Sequence, residues 1–328
     1  MITDPTTVGA TTMRAVVIDA YGGPDRLVLR SLPLPPAPRP DEILVRTAAA
    51  AVNPVDLQTR AGLHAHHSPV ALPMTLGWDL AGIVEATGPA VTNVHVGDPV
   101  IAMSAQMATG RGTYAERVVL SAEVAARAPR SVALEEAAAL PLAGLTALQA
   151  LDRLALAPGD RLLITGALGS VGAIATQLAK LRGLHVVAHL RDPARASETK
   201  ALGADEVTTG HSRPPQCDAL LDTAGLPELI GAVRHAGRAV SIVPSKPLHT
   251  ERGVDVGVAH VEQSGAGLAH LAGLLDQGRL RLRPGRRLAF ADARQAHELL
   301  AAGGLDGKLL LLPALAGSAL RSATGRTE

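Results

Sequence analysis

Residues 161–172 read RLLITGALGSVG. An apolar strand over 161–165 runs into a glycine-rich turn, and a helix over 171–182 follows, closed by Gly183. Gly169 and Gly172 take the second and third glycine places of a G-x-G-x-x-G fingerprint, with Ala167 at the first. The missing side chain at Gly169 lets backbone approach a pyrophosphate, and Gly172 lets helix and strand pack closely. Amides at Ser170 and Val171 open the helix, where free N–H groups and the helix dipole favour an anion. A second strand over 186–190 completes a unit of the kind that binds dinucleotides.

That second strand bears on which dinucleotide. It ends Ala188-His189-Leu190-Arg191-Asp192. The place of the usual ribose-binding acid falls on Leu190, while Arg191 follows and Arg195 is near. This favours a 2′-phosphate and therefore NADPH. If Asp192 instead faces the ribose, the preference becomes NADH. A helix over 193–202, strands over 205–208, 219–222 and 238–243, and a helix over 227–235 continue the alternation. Such βαβ repetition predicts a doubly wound parallel sheet, α/β in class. Ala224 and Val243, at strand ends, are further cofactor candidates.

The remainder bounds the function. The chain has 328 residues, enough for two domains. Lys plus Arg is 31 against 30 Asp plus Glu, so it lacks the basic footprint of a nucleic-acid binder. Trp78, Tyr21, Tyr114 and Phe290 are its four rings, too few for a base-stacking platform. One cysteine, Cys217, excludes an internal disulfide and fits a reducing compartment, so the expected location is cytoplasmic. Residues 1–12 lack the apolar core of a signal peptide. The 18 uncharged residues 162–179 contain the glycine turn and read as strand, loop and helix rather than a membrane span.

Residues 13–119 read as a β zone, with strands over 13–20, 42–52, 82–86 and 99–102 separated by Gly/Pro turns. The proline-rich run 32–40 is expected as a surface loop. A helix over 135–156 must break at Pro141 or Gly144. Helices over 268–277 and 291–302, a strand over 308–312 and a loose tail from 314 close the chain.

Taken together, Tyr21-Gly22-Gly23-Pro24, Asn53-Pro54-Val55-Asp56, Gly77-Trp78-Asp79-Leu80-Ala81-Gly82, Gly97-Asp98, Gly112-Thr113-Tyr114-Ala115-Glu116, LPLAGLTAL over 140–148, the 166–172 turn, LGADEV over 202–207, 222–225 and Gly307-Lys308 form an ordered set. In this the chain resembles the medium-chain dehydrogenase/reductase superfamily, and within it the zinc-independent, zeta-crystallin-like quinone oxidoreductases. The resemblance implies a GroES-like β-barrel catalytic domain beside a Rossmann domain. We expect residues 1–128 and 264–328 in the former and 129–263 in the latter. It also implies a homodimer formed through the Rossmann sheet. Zinc-dependent relatives hold their catalytic metal with Cys, His and Cys. Here those places are similar to Asn53, Trp78 and a stretch within 140–146 without Cys, and the structural zinc lobe has no cysteines, so no metal site is expected. The histidines His64, His66 and His67 cluster in a loop; such clusters are more often exposed than metal-binding, and by its expected place near the mouth of the active site this loop shapes the substrate entrance.

Without a Lewis acid, a nicotinamide reduces acceptors that are already electrophilic, so the expected partner is a small quinone or α,β-unsaturated carbonyl. By resemblance Asn53 faces nicotinamide or substrate, yet Asn53 and Asp56 also suit a helix N-cap and first turn over 54–61. Tyr21 offers a phenol proton or packs by Gly22-Gly23; Trp78 stacks on a planar substrate or fills core. Thr146 resembles a cofactor-contacting threonine, though its hydroxyl can bond its own helix. Lys308 resembles a lysine near the cofactor, or is a surface lysine. One departure stands out: family reductases often carry an aromatic residue after the segment like 203–207, whereas Thr208-Thr209-Gly210 has none, and His211 and Arg213 follow. Two other functions fit the same fold: an NADPH-binding pseudoenzyme or sensor, and a tailoring enzyme of non-reductive chemistry.

Overall fold

A computed structural model describes residues 11–65, 70–210 and 212–314. The expected tail and His66, His67 and His211 lie outside the described residues. Along the chain run strands β1 (Thr12–Ile18), β2 (Val28–Pro33) and β3 (Glu42–Ala51), helix α1 (Pro54–Ala61), strands β4 (Met74–Thr75), β5 (Asp79–Thr87) and β6 (Pro99–Met103), and helix α2 (Gln106–Thr109). Strands β7 (Arg117–Ser121) and β8 (Ala125–Arg127) and helices α3 (Leu134–Ala137) and α4 (Pro141–Leu154) follow. Then come β9 (Arg161–Thr165), α5 (Ser170–Leu181), β10 (His185–Leu190), α6 (Ala196–Ala201), β11 (Glu206–Thr209), β12 (Cys217–Asp222), β13 (Val233–Ser241) and β14 (Asp255–Val258). Helix α7 (Gly265–Asp276), β15 (Pro284–Ala289), α8 (Ala293–Ala302) and β16 (Lys308–Leu312) complete the order.

The chain forms two compact units, Met1–Ala139 with Pro284–Glu328, and Leu140–Arg283. Both boundaries fall later than 128 and 263. Helix α7 explains the second: a Cβ at Gly144 of α4 would lie 2.9 Å from the Leu271 methyl, and one at Gly267 2.8 Å from Leu145, so α7 is packed on α4. At the first, Glu136 of α3 pairs with Arg287 of β15 at 2.7 Å.

In the first unit a seven-stranded sheet orders β15-β16-β3-β5-β6-β8, with β7 also on β3, beside a three-stranded sheet β2-β1-β4. Alternation along β3 sends Ile43 and Val45 into a core with Leu80, Val84, Val100 and Leu120. Each such fully buried aliphatic side chain contributes roughly 1.5–3 kcal/mol. The β3–β5 pairing slips twice, at Leu44/Val45 and Thr47/Ala49. The proline-rich run begins inside a strand rather than a loop: Leu32 and Pro33 pair with Met13 and Thr12. Since β2 is the outer strand, a residue lacking N–H is tolerated there.

The second unit has six parallel strands in the order β11-β10-β9-β12-β13-β14. Chain order reverses between β9 and β12, and in such sheets ligands bind outside the carboxyl ends of the strands at this reversal. One expected helix is corrected: over 227–235 only a 3-10 segment, Pro227–Ala232, forms, and Val233 already opens β13. The residues Val233, Ala239 and Val240 are buried, and that burial overrides the helical spacing. Helix 193–202 is likewise split into a 3-10 turn, Pro193–Arg195, and α6. Cys217, opening β12, is 2 % exposed.

Candidate active site

In the second unit the glycine turn leaves β9 at Thr165. A Cβ at Gly172 would stand 2.3 Å from the Gly166 carbonyl oxygen, so α5 reaches the turn only because residue 172 has none. Gly169 is the N-cap of α5 and no side chain caps that end. Ala167 is buried, Gly169 and Ser170 are exposed and Val171 is half-buried. The first-turn amides are therefore left for an anion, and a dinucleotide pyrophosphate fits.

A latch holds the adjoining loop. Buried Asp222 accepts the Thr165 hydroxyl at 2.6 Å and the Gly225 and Leu226 amides at 2.9 and 3.1 Å. The Thr165 hydroxyl oxygen in turn accepts from the amides of Thr223 (2.9 Å) and Ala224 (3.1 Å). These bonds fix exposed Ala224 beside Gly166, where a Cβ would lie 3.1 Å from Ala224 Cβ. Val243 is half-buried over Gly225. Neither Thr165 nor Asp222 stood out in the sequence as part of the site; the signal was the pairing of a strand-end threonine with a strand-end aspartate.

At the end of β10, Leu190 is buried and Arg191 exposed. The Asp192 carboxylate accepts the Ala194 amide at 3.0 Å, capping the following turn. Arg195 donates two bonds to Glu198, both 2.7 Å, and Glu198 also receives Arg283 at 3.0 Å. Arg191 makes no hydrogen bond or ion pair among the described residues. The Thr146 hydroxyl donates to the Leu142 carbonyl at 2.6 Å within its own helix.

In the first unit, Asn53 caps α1. Its backbone N–H donates to Asp56 Oδ2 at 2.8 Å and the Asp56 amide donates to the Asn53 carbonyl at 3.0 Å, as suits an N-cap and a first-turn acid. Tyr114 Oη also donates to Asp56 Oδ2, at 3.0 Å, and Oδ1 has no partner among the described residues. Asp56 has no exposed surface, and burial raises its carboxyl to about 7. Burial, then the Asp56 charge, push the Tyr114 phenol well above its ordinary range.

The side chain of Asn53 enters a second set. Its Nδ2 donates to Asp79 Oδ2 at 2.8 Å and to the Ala51 carbonyl at 3.2 Å. Lys308 Nζ donates to Asn53 Oδ1 at 2.5 Å and pairs with Asp79 Oδ2 at 3.0 Å. Strand register brings these together. β16 pairs β3 with Leu310 opposite Ala51, so Lys308 stands level with Asn53, and β3 pairs β5 with Ala51 opposite Asp79. Lys308 is 5 % exposed, so it is not a surface lysine.

Trp78 is buried and its indole N–H finds no partner among the described residues. Gly77 before it holds φ +108°, where a Cβ would strike Thr113 and the Tyr114 ring at 2.4 and 2.5 Å. The Tyr21 ring lies against Gly62, whose Cβ would be 3.0 Å from it, and no hydrogen bond joins Tyr21 to the Asn53 set. Next to Tyr21, Gly22 and Arg60 exchange backbone and guanidinium bonds at 2.9 and 3.1 Å. Arg60 Nη1 donates to His297 Nδ1 at 3.2 Å, which puts the imidazole proton on Nε2, itself unpartnered. Burial lowers His297 to about 3, and its ring meets Tyr114 edge-on at 6.0 Å. Sequence reasoning passed over Asp79, Arg60 and His297.

The donors present do not fit a catalytic zinc. The Asn53 amide is spent on Asp79 and Lys308, and an ammonium stands at ion-pair distance from the carboxylate. Among the described residues no group of three or more His, Cys, Asp or Glu side chains is placed to hold a metal ion.

Comparison with known proteins agrees with this architecture. Residues 39–130 match the alcohol dehydrogenase GroES-like domain family and residues 202–311 the zinc-binding dehydrogenase family. The chain is 32% identical to a quinone oxidoreductase of Pseudomonas aeruginosa, covering 90% of this chain and 98% of that one. It is 32% identical to a chloroplastic NADPH-dependent alkenal/one oxidoreductase of Arabidopsis thaliana, over 70% of this chain and 62% of the relative. A solved quinone oxidoreductase from Coxiella burnetii superposes with a TM-score of 0.84 at 30% identity, over 92% of this chain and all of that one. With its GroES-like barrel, parallel nucleotide-binding sheet and this likeness along nearly its whole length, the chain belongs to the quinone oxidoreductases of the medium-chain dehydrogenase/reductase superfamily, oxidoreductases that act with a nicotinamide cofactor.

Proposed function

We propose that the protein is a metal-free, NADPH-dependent reductase of quinones or α,β-unsaturated carbonyls. The observation that carries the cofactor preference is the end of β10. Asp192 there turns Oδ1 to the Ala194 amide and caps the following turn, while Arg191 is exposed and, among the described residues, without a partner. When bound, the reduced cofactor supplies a hydride. The turn with Gly169, Ser170, Val171 and Gly172 holds its pyrophosphate, with Ala167 as backbone support. Arg191, with Leu190 and Arg195 beside it, meets the 2′-phosphate, and Ala224, Val243 and Thr146 line the rest. The first unit orients the acceptor through the Asn53 set, with Trp78 and Tyr21 bounding its apolar side. The poor fit of these donors to zinc favours acceptors that are already activated. The names of the Pseudomonas and Arabidopsis relatives support both acceptor classes.

The outer edge of β14 and the family resemblance support a homodimer through the six-stranded sheet. The single buried thiol suits the cytoplasm, and among the described residues no helix is long and apolar enough to cross a membrane.

Titration with NADPH and NADH, followed by turnover with a panel of quinones and enones, tests this. Tighter NADPH binding and oxidation of NADPH by at least one acceptor are expected. Preference for NADH would overturn the Arg191 assignment, and tight binding without turnover would make the protein a cofactor-binding sensor.

A further inference from the structure

The Asn53 amide carries two N–H groups, and both are used, on Ala51 and Asp79. Asn53 therefore has no donor left for a substrate oxygen. The Lys308 ammonium has three N–H groups. Asn53 Oδ1 takes one, Asp79 Oδ2 stands 3.0 Å away as the ion-pair partner, and no other described residue accepts from Lys308. Keeping a buried ion pair costs desolvation, and an apolar pair of similar volume would serve the fold as well. A buried ammonium with one hydrogen unspent is dearer still. That arrangement makes sense when a ligand oxygen completes it.

We propose that Lys308 is the hydrogen-bond donor to the carbonyl oxygen of the acceptor, and that Asn53 and Asp79 are positioning residues that aim it. The proposal rests on the reductase reading above. In enone reduction, hydride from the reduced nicotinamide adds to the β-carbon. The C=C electron pair shifts toward the carbonyl, and negative charge arrives on oxygen as an enolate. The third N–H of Lys308 donates to that oxygen and keeps its proton, and the α-carbon takes a proton from water. Two electrons leave the cofactor and two arrive in the product.

The test compares wild type with Lys308→Met and Lys308→Arg, using 2-cyclohexenone turnover, NADPH affinity, and calorimetric binding of the 4-hydroxycoumarin anion against neutral coumarin with NADP⁺ present. Removing one oxyanion donor is expected to lower kcat on the order of 10²-fold or more. NADPH affinity should stay within about twofold, and the anion should lose affinity at least about tenfold while coumarin does not, as fits loss of a charge-assisted bond. Lys308→Arg should recover part of both. Unchanged turnover and anion binding would reduce Lys308 to a structural ion pair. Weaker NADPH binding with kcat retained at saturation would place it on the cofactor instead. If Lys308→Met does not fold, the double variant Asp79→Leu/Lys308→Met removes both charges together, and normal turnover in that protein overturns the proposal. If no quinone or enone oxidises NADPH in the presence of the wild type, the reductase reading itself is overturned, a result distinct from any of these.

Discussion

Asp56 and His297 lie in the same buried surroundings and titrate with opposite consequences. Asp56 is raised to about 7 from an ordinary 3.8, so between those values the folded chain holds a proton that the unfolded chain has lost. Its contribution therefore weakens stability as pH rises through that window, by on the order of 4 kcal/mol across it. His297 is lowered to about 3 from 6.5, so there the unfolded chain holds the extra proton and acid weakens the fold. Between about pH 4 and 6.5 the two slopes oppose each other. Asp56→Asn keeps an acceptor for Asn53 and Tyr114, and is expected to melt higher than wild type at pH 8, with the gap vanishing near pH 4. Melting curves from pH 4 to 8 check this; a gap independent of pH would refute it. For Arg191→Ala, NADPH should bind roughly 10-fold more weakly and NADH unchanged, as loss of one charge-assisted bond requires. The N-cap place of Asn53 and the first-turn place of Asp56 were legible because their spacing is local. The joining of Lys308, Asn53 and Asp79 was not, because three strands distant in sequence must first adopt their register.

Among the elements, the strand over 161–165, the helix over 54–61 and the strand over 308–312 were legible to the residue. Sharp local signals mark them: a proline at the first helical position, a glycine past the last, a short apolar run before a glycine turn. β13 was misread at its start because Val233 joins Cys217 on the neighbouring strand, a contact invisible to local spacing. β14 and β15 were missed because neither has a strong alternation of buried and exposed residues. The turn at β9 carries its own prediction. Gly172→Ala places a methyl 2.3 Å from a backbone oxygen, so α5 must retreat and NADPH affinity should fall at least about tenfold. Asp222→Ala strands the Gly225 and Leu226 amides and should cost roughly 3 kcal/mol, read as a lowered midpoint in urea.

For the molecule as a whole, the first unit is built from two stretches of chain and the second from one. Deleting residues 284–328 removes β15, α8 and β16, and with them the strand that pairs β3. The first unit should then fail to fold while the second still binds NADPH, separable by proteolysis with and without the nucleotide. The second unit also carries the chain's one sulfhydryl. Cys217 is buried at the head of β12, donates to the Pro215 carbonyl, and is pushed by burial up to about 11. A disulfide reagent added to the native protein thus meets no thiolate until the strand comes loose. The rate of the colour change becomes a stopwatch for the opening of the nucleotide-binding sheet. Saturating NADPH should slow it, since ligand at 100 times its Kd deepens the closed state by about 2.7 kcal/mol, close to a hundredfold in waiting time. The same silence leaves room for a single engineered surface cysteine to carry a dye or spin label without removing the native one.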